Sequence, residues 1–160
     1  FLAGFSPLAN YPYMADVARI EMARGQAFHA SDASSITAEA LMAAAADPGT
    51  TRLGLHPSLR VLYLDHPAVS IWSANQSNSS PQVRMPAGAQ IALILRDPVF
   101  DVSVHAIGVG DATMISAMQA GETLLTAAEL AAFAQVNHDP QSILVHLMQA
   151  GALTTRKETE

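Results

Sequence analysis

Arg52–Gln76 reads RLGLHPSLRVLYLDHPAVSIWSANQ, and its reading sets the fold. Leu59-Arg60-Val61-Leu62-Tyr63-Leu64 is apolar and partly β-branched, the pattern of a buried strand. Asp65-His66-Pro67 breaks that run. Asp65 or His66 can cap a helix, Pro67 is pre-set for a first helical turn, and Val69, Ile71 and Trp72 follow. A strand therefore turns sharply into a short helix that carries the only Trp of the chain. Its plain role is a packing anchor, because Trp supplies a large buried area.

Around this stretch the composition allows a real core. The chain has 160 residues, enough for one domain or two small ones, and half of them are hydrophobic. Only 14% are charged, and the formal net charge is −6, which opposes a broad nucleic-acid or anionic-membrane surface. There is no Cys, hence no disulfide frame, thiolate ligand or Cys nucleophile. No apolar run is long enough to span a bilayer, and no basic-then-apolar signal segment is visible. A cytoplasmic protein is the expectation. The first residue is Phe1 rather than Met, which suggests a fragment or processed product.

Upstream, Pro7 discourages a helix across Phe1–Asn10. Pro12 to about Ala30 is helical in pattern, with Met14, Val17, Ala18, Ala27 and Phe28 expected on one face. Glu21 and Arg24 stand three apart and can pair; Asp16, Arg19, Glu21 and Arg24 read either as a solvated charged face or as a docking face. After the polar Ser31–Ser35, Thr37 can cap an Ala-rich helix over Ala38–Ala46, stopped by Asp47-Pro48-Gly49 and small-sided enough for close packing. Downstream, Ser73–Gln82 has the composition of an exposed loop.

A second unit then begins. Val83–Met85 suggests a short strand, Gln90–Arg96 a central one, and Phe100–Val109 alternates with Phe100, Val102, Val104 and Ala106 on one side. Three helices follow. Asp111 is expected to cap the first, which carries Met114, Ile115 and Met118 and ends at Gly121. Thr126-Ala127-Ala128-Glu129 suggests a capping box for the second, with Leu125 and Leu130 at the staple positions. Asp139-Pro140 opens the third, whose apolar stripe is Ile143, Leu144, Leu147 and Met148; Gly151 closes it and Leu153 leads a terminal strand or wing.

Catalytic patterns are not found. The six His (29, 56, 66, 105, 138, 146) make no HxxxH or HExxH spacing, so no metal ligands are assigned; His105 and His146 read as hydrogen-bonded structural residues. Gly108-Val109-Gly110 begins like a dinucleotide loop, but Thr113 stands where a third Gly belongs. No nucleophile elbow, phosphate loop or paired carboxylates are evident. The expectation is no catalysis and no cofactor. Binding is the better reading. If the strand around Val102–Val109 lies at a sheet edge, Val102, Val104 and Ala106 mark a strand that can accept an extended peptide. The third helix would supply the other wall through Gln141, Val145 and Gln149. A nucleic-acid alternative uses that same helix for recognition, with Arg156 and Lys157 as a wing touching phosphates.

Two blocks carry a family resemblance: LHPSLRVL…HPAVSIWSANQ and PYMADVARIEMARGQAFHASDA (Pro12–Ala33). Both resemble the HvfC/BufC family, long described as DNA-binding and similar to the methanobactin biosynthesis partner MbnC. The resemblance runs from about Tyr11 onward, is specific in these two blocks, and lacks the family's usual N-terminal helical domain. Two strands, three short helices and the ending MQAGALTTR (Met148–Arg156) also resemble a winged-helix or RiPP-recognition-element plan. The expected fold is α+β, with N-terminal helices packed on a winged-helix-like or RiPP-recognition-element-like unit, a small antiparallel sheet followed by three short helices. The expected segments are 1–50 helical, 51–82 strand, helix and loop, and 83–157 the recognition-like unit. The resemblance implies a non-catalytic partner of a multinuclear-iron oxygenase and its Cys-containing precursor peptide, in the making of copper-binding oxazolone/thioamide groups. It favours Asp16, Arg19, Glu21, Arg24 and Trp72 as a partner-docking face. The alternative is a DNA-binding transcriptional regulator.

Overall fold

The computed structural model describes residues 10–76 and 87–155. The expected strand at Val83–Met85, the loop beyond Gln76, and Arg156 and Lys157 lie outside them. The elements run α1 (Met14–Phe28), α2 (Ala38–Ala46), β1 (Leu53–Leu55), β2 (Arg60–Leu64), α3 (Ala68–Gln76), β3 (Gln90–Arg96), β4 (Val102–Ile107), α4 (Val109–Ala120), α5 (Leu124–Ala134), α6 (Pro140–Gln149) and β5 (Leu153–Thr155). The fold is α+β, with two small antiparallel sheets among the described residues.

The main sheet has the order β2-β3-β4, so Gln90–Arg96 is its centre, as its continuous apolar run suggests. Ala92 and Ile94 pack with Ile20, Ala23 and Ala27 of α1 and with Ala68 and Val69 of α3. The alternate residues Leu93 and Leu95 pack with Met114, Ile115 and Met118 of α4, Ala127 and Ala131 of α5, and Ile143 and Leu147 of α6. The strand's period of two thus feeds two cores from one segment. The β2–β3 and β1–β5 pairings join the sequence segments on either side of residues 77–86.

Several local expectations change. Strand β2 is an edge, so Val61 and Leu62 are half-buried and Tyr63 is exposed rather than in a closed core. In α1 the buried stripe is Asp16, Ile20, Ala23 and Ala27, spaced four, three and four; Met14 and Phe28 face solvent. Thr37 does cap α2, its Oγ1 accepting from Ala40 N at 3.2 Å. None of that helix's residues is fully buried, however, and only Leu41 and Ala44 pack against the core. Helix α4 starts two residues before Asp111, whose carboxylate accepts from Gly108 N at 3.3 Å from the third helical position. The cap of α5 is Thr123, not Thr126, and Leu125 and Leu130 remain exposed instead of forming a staple. Asp139 caps α6 as expected, accepting from Gln141 N at 3.0 Å.

The segment that follows α6 is pinned on both sides. Gly151 has φ 67°, and a Cβ there would come within 2.9 Å of Pro98 Cγ and 3.0 Å of Ser35 Oγ. Ser35 Oγ donates to the Gly151 carbonyl at 2.7 Å, and Ile36 N donates to the Leu153 carbonyl at 2.9 Å. Strand β5 then pairs with β1.

Candidate functional site: the β4–α6 edge and the α1–α3 face

Two surfaces gather the expected binding residues. The first is the free edge of the main sheet. Among the described residues, strand β4 has one hydrogen-bonded neighbour, β3, with Arg96 opposite Val102 and Ile91 opposite Ile107. Its other row of backbone groups has no strand partner among the described residues, the geometry that can accept a further strand. The side chains divide differently from the expected peptide wall. Val102 and Val104 pack into the α1 core; Ala106 follows on the same side of the strand and is exposed. The set turned toward α4–α6 is Ser103, His105 and Ile107: Ile107 packs against that core and His105 meets α6. The strand's alternation allows only one of the two sets to face the helix.

On α6, Gln141, Val145 and Gln149 repeat every four residues along an exposed stripe and border a shallow notch of about 460 Å³. Asp139, Ser142 and His146 complete its lining. The His105 and His146 rings meet edge to face, centroids 4.9 Å apart and planes at 83°. Neither ring is hydrogen-bonded among the described residues, contrary to the expectation for both, and His146 Nε2 is buried without a partner. Burial holds the His105 pKa below its ordinary value, and His146 adds to the shift. Sequence spacing could not reveal this contact, because the two positions lie 41 apart in the chain.

The second surface is the α1–α3 face. Asp16 is not solvated: it is 4% exposed. Its Oδ2 accepts from Asp65 N at 3.0 Å and from His66 N at 3.1 Å, and lies 2.9 Å from His66 Nδ1. Its Oδ1 accepts from Arg19 at 3.0 Å. The strand-to-helix turn is thus held by a carboxylate from another element rather than by its own Asp65. Burial opposes the Asp16 charge, but hydrogen bonds from His66 and Arg19 outweigh it and hold the pKa below the ordinary value.

Glu21, Arg24 and Trp72 do come together. Glu21 accepts from Trp72 Nε1 at 2.6 Å and from Arg24 at 3.0 Å, while the Arg24 guanidinium lies 4.9 Å from the Trp72 ring centre. Trp72 is thus half-buried between an acid and a base, an interfacial placement for its polar handle. Arg19 contributes only its contact with Asp16.

Arg96 is a residue the sequence reading passed over. It ends β3, is 7% exposed, and donates to the Phe28 and Ala30 carbonyls at 2.7 and 3.0 Å. A cation at the C-terminus of α1 suits both the unpaired carbonyls and the helix dipole. Arg96 also pairs with Asp32 at 2.6 Å and lies 4.7 Å from the Phe100 ring centre. An arginine closing an apolar strand run was its only sequence signal.

Among the described residues, no group of three or more His, Asp or Glu side chains is placed to hold a metal ion. No helix among them is long and apolar enough to cross a membrane. The arrangements at both surfaces suit backbone pairing, apolar contact and charge pairing. Compared with known proteins, the chain matches no protein-family model and no curated protein.

Proposed function

We propose that this chain is a non-catalytic partner subunit that binds an iron-dependent oxygenase, its Cys-containing precursor peptide, or both, during synthesis of oxazolone/thioamide copper-binding groups. The observation that carries the reading is the open edge of β4 beside the exposed Gln141–Val145–Gln149 stripe of α6. An extended peptide adding to that edge would exchange main-chain hydrogen bonds with β4. Val145 would contact an apolar side chain, and the two glutamines would hydrogen-bond its flanks. The element order is β2-α3-β3-β4-α4-α5-α6; its three-stranded antiparallel sheet followed by three helices supports the winged-helix-like, RiPP-recognition-element-like reading, with α3 inserted between the first two strands. The iron would belong to the oxygenase.

The α1–α3 face supports an enzyme-docking role through Glu21, Arg24 and Trp72. The DNA-binding alternative gains no specific support: α6 contains no Arg or Lys, and the chain's formal net charge is −6. The test is co-purification of the tagged chain with an iron oxygenase and a Cys-containing precursor peptide encoded beside it. Retention of either protein, weakened by Val145→Glu or by Trp72→Ala, is the expected result. Retention of neither would sink the proposal.

A further inference from the structure

A notch of about 440 Å³ lies between the C-terminal half of α1 and the β3–β4 turn, on the side of the molecule that carries Trp72. Glu21, Arg24, Gly25, Phe28, Phe100 and Asp101 line it, beside Val102. Three features of its walls are unexplained by folding.

The first is Gly25. It sits inside a helix, exposed, with nothing within 4 Å of where a Cβ would be. Helix interiors disfavour glycine relative to alanine, and here no packing contact requires its absence of a side chain. The second is Phe100, an aromatic residue held at φ 66°. The turn around it is well built: Asp97 Oδ1 accepts from Val99 N and Asp101 N, both at 2.9 Å. A glycine or asparagine would occupy that conformation with less strain. The third is aromatic exposure. Phe28 is 47% and Phe100 54% exposed, and the Phe100 ring is backed by the buried Arg96 guanidinium. Two exposed apolar rings thus line the notch, one of them resting on a buried guanidinium.

Charge narrows what can fill that space. Arg24 is paired with Glu21 and Arg96 with Asp32. Asp97 is engaged only by backbone N–H groups of its own turn, and the Asp101 side chain has no partner among the described residues. The rim therefore keeps one carboxylate without a partner among the described residues, Asp101, within a chain of net charge −6.

We propose that this notch is a docking site for a basic partner segment, which seats one large apolar side chain over Gly25, between Phe28 and Phe100, and places a Lys or Arg against Asp101. The inference rests on the reading of the α1 side as a docking face. It does not depend on the β4 edge, and it names no enzyme. A buried apolar anchor with rim charges that steer the encounter is the usual anatomy of such contacts.

The two odd residues make the test unusual, because correcting either should help the fold. Gly25→Ala and Phe100→Gly are both expected to raise the melting temperature or leave it unchanged. Gly25→Leu keeps helical propensity and fills the notch. A display library of random twelve-residue peptides is selected on the wild-type chain, and the enriched peptides are measured by fluorescence anisotropy. Enriched peptides should carry Leu, Phe or Trp flanked by Lys or Arg, and Gly25→Leu and Phe100→Gly should weaken them by about tenfold or more. Asp101→Lys should weaken them further at low salt than at high salt. Acidic or uncharged enriched sequences, equal binding to Gly25→Leu, or no enrichment would each overturn the proposal. So would a wild-type dimer in sedimentation that Gly25→Leu converts to monomer, since a second copy would then be the occupant. Failure of co-purification with an oxygenase leaves this result untouched, so the two readings fail separately.

Discussion

At the scale of single residues, the buried Asp16 carboxylate illustrates how much one side chain can hold. It serves two backbone N–H groups of the β2–α3 turn together with His66 and Arg19. Asp16→Ala leaves those N–H groups without their acceptor and is expected to cost about 2–3 kcal/mol in urea unfolding. Its depressed pKa works in the same direction. Stability from this group is fully present above the ordinary value of 3.8 and is lost as pH falls through the folded pKa below it. Two imidazoles act nearer neutrality. Burial lowers the His56 pKa, with Arg96 adding and Asp32 opposing, and burial followed by His146 lowers that of His105. His56 is the firmer case, being buried, whereas His105 keeps an exposed edge. The fold favours their neutral forms, so this contribution is present above 6.5 and lost as pH falls through the folded values. Urea midpoints should therefore decline on acidification below about pH 6.5, with a shallower decline for His56→Gln. At Gly151, the left-handed φ and the nearness of Pro98 and Ser35 predict that Gly151→Ala loses about 1–3 kcal/mol.

At the scale of elements, β3 is the strand that both cores share. Leu93 and Ile94 are fully buried on opposite faces, so alanine at either is expected to cost about 2–5 kcal/mol. Hydrogen exchange should be slowest at the β3 amides and faster in β4, whose outer edge is open. The α6 stripe behaves differently. Val145 is exposed, so Val145→Glu should change stability by no more than about 0.5 kcal/mol while abolishing peptide capture. The elements themselves were largely legible. The apolar run Ile91–Leu95 announced β3, Asp139-Pro140 announced the start of α6, and Gly121 announced the end of α4. What stayed hidden were choices made by tertiary partners. The apolar pattern of α1 fitted more than one face, and a buried acid on the chosen face is invisible until its distant N–H donors arrive. Thr123 and Thr126 both offer capping chemistry, and the first wins; Leu124 N, just after it, donates to the Thr51 carbonyl at 2.9 Å.

At the scale of the whole molecule, the main sheet is covered by α1 and α3 on one face and α4–α6 on the other. The candidate sites were half legible in the sequence. Glu21, Arg24 and Trp72, grouped from the sequence, do meet, and β4 is an edge strand among the described residues. The His105–His146 contact, the Arg96 support beneath Phe100 and the emptiness above Gly25 depend on long-range placement that no local pattern encodes. One feature of that placement reaches into synthesis. Strand β1 ends up paired with β5 through Leu53↔Thr155, a partner roughly a hundred residues later in the chain. On the ribosome, Leu53–Leu55 must leave the exit tunnel and wait, its hydrogen-bonding edge open, until the last described strand has been translated. A nascent chain stalled before Leu153 would carry that unsatisfied edge together with the uncovered apolar surface of Leu53. Such a chain is the form a holding chaperone should meet, and release past Thr155 is the step that ends the need for one.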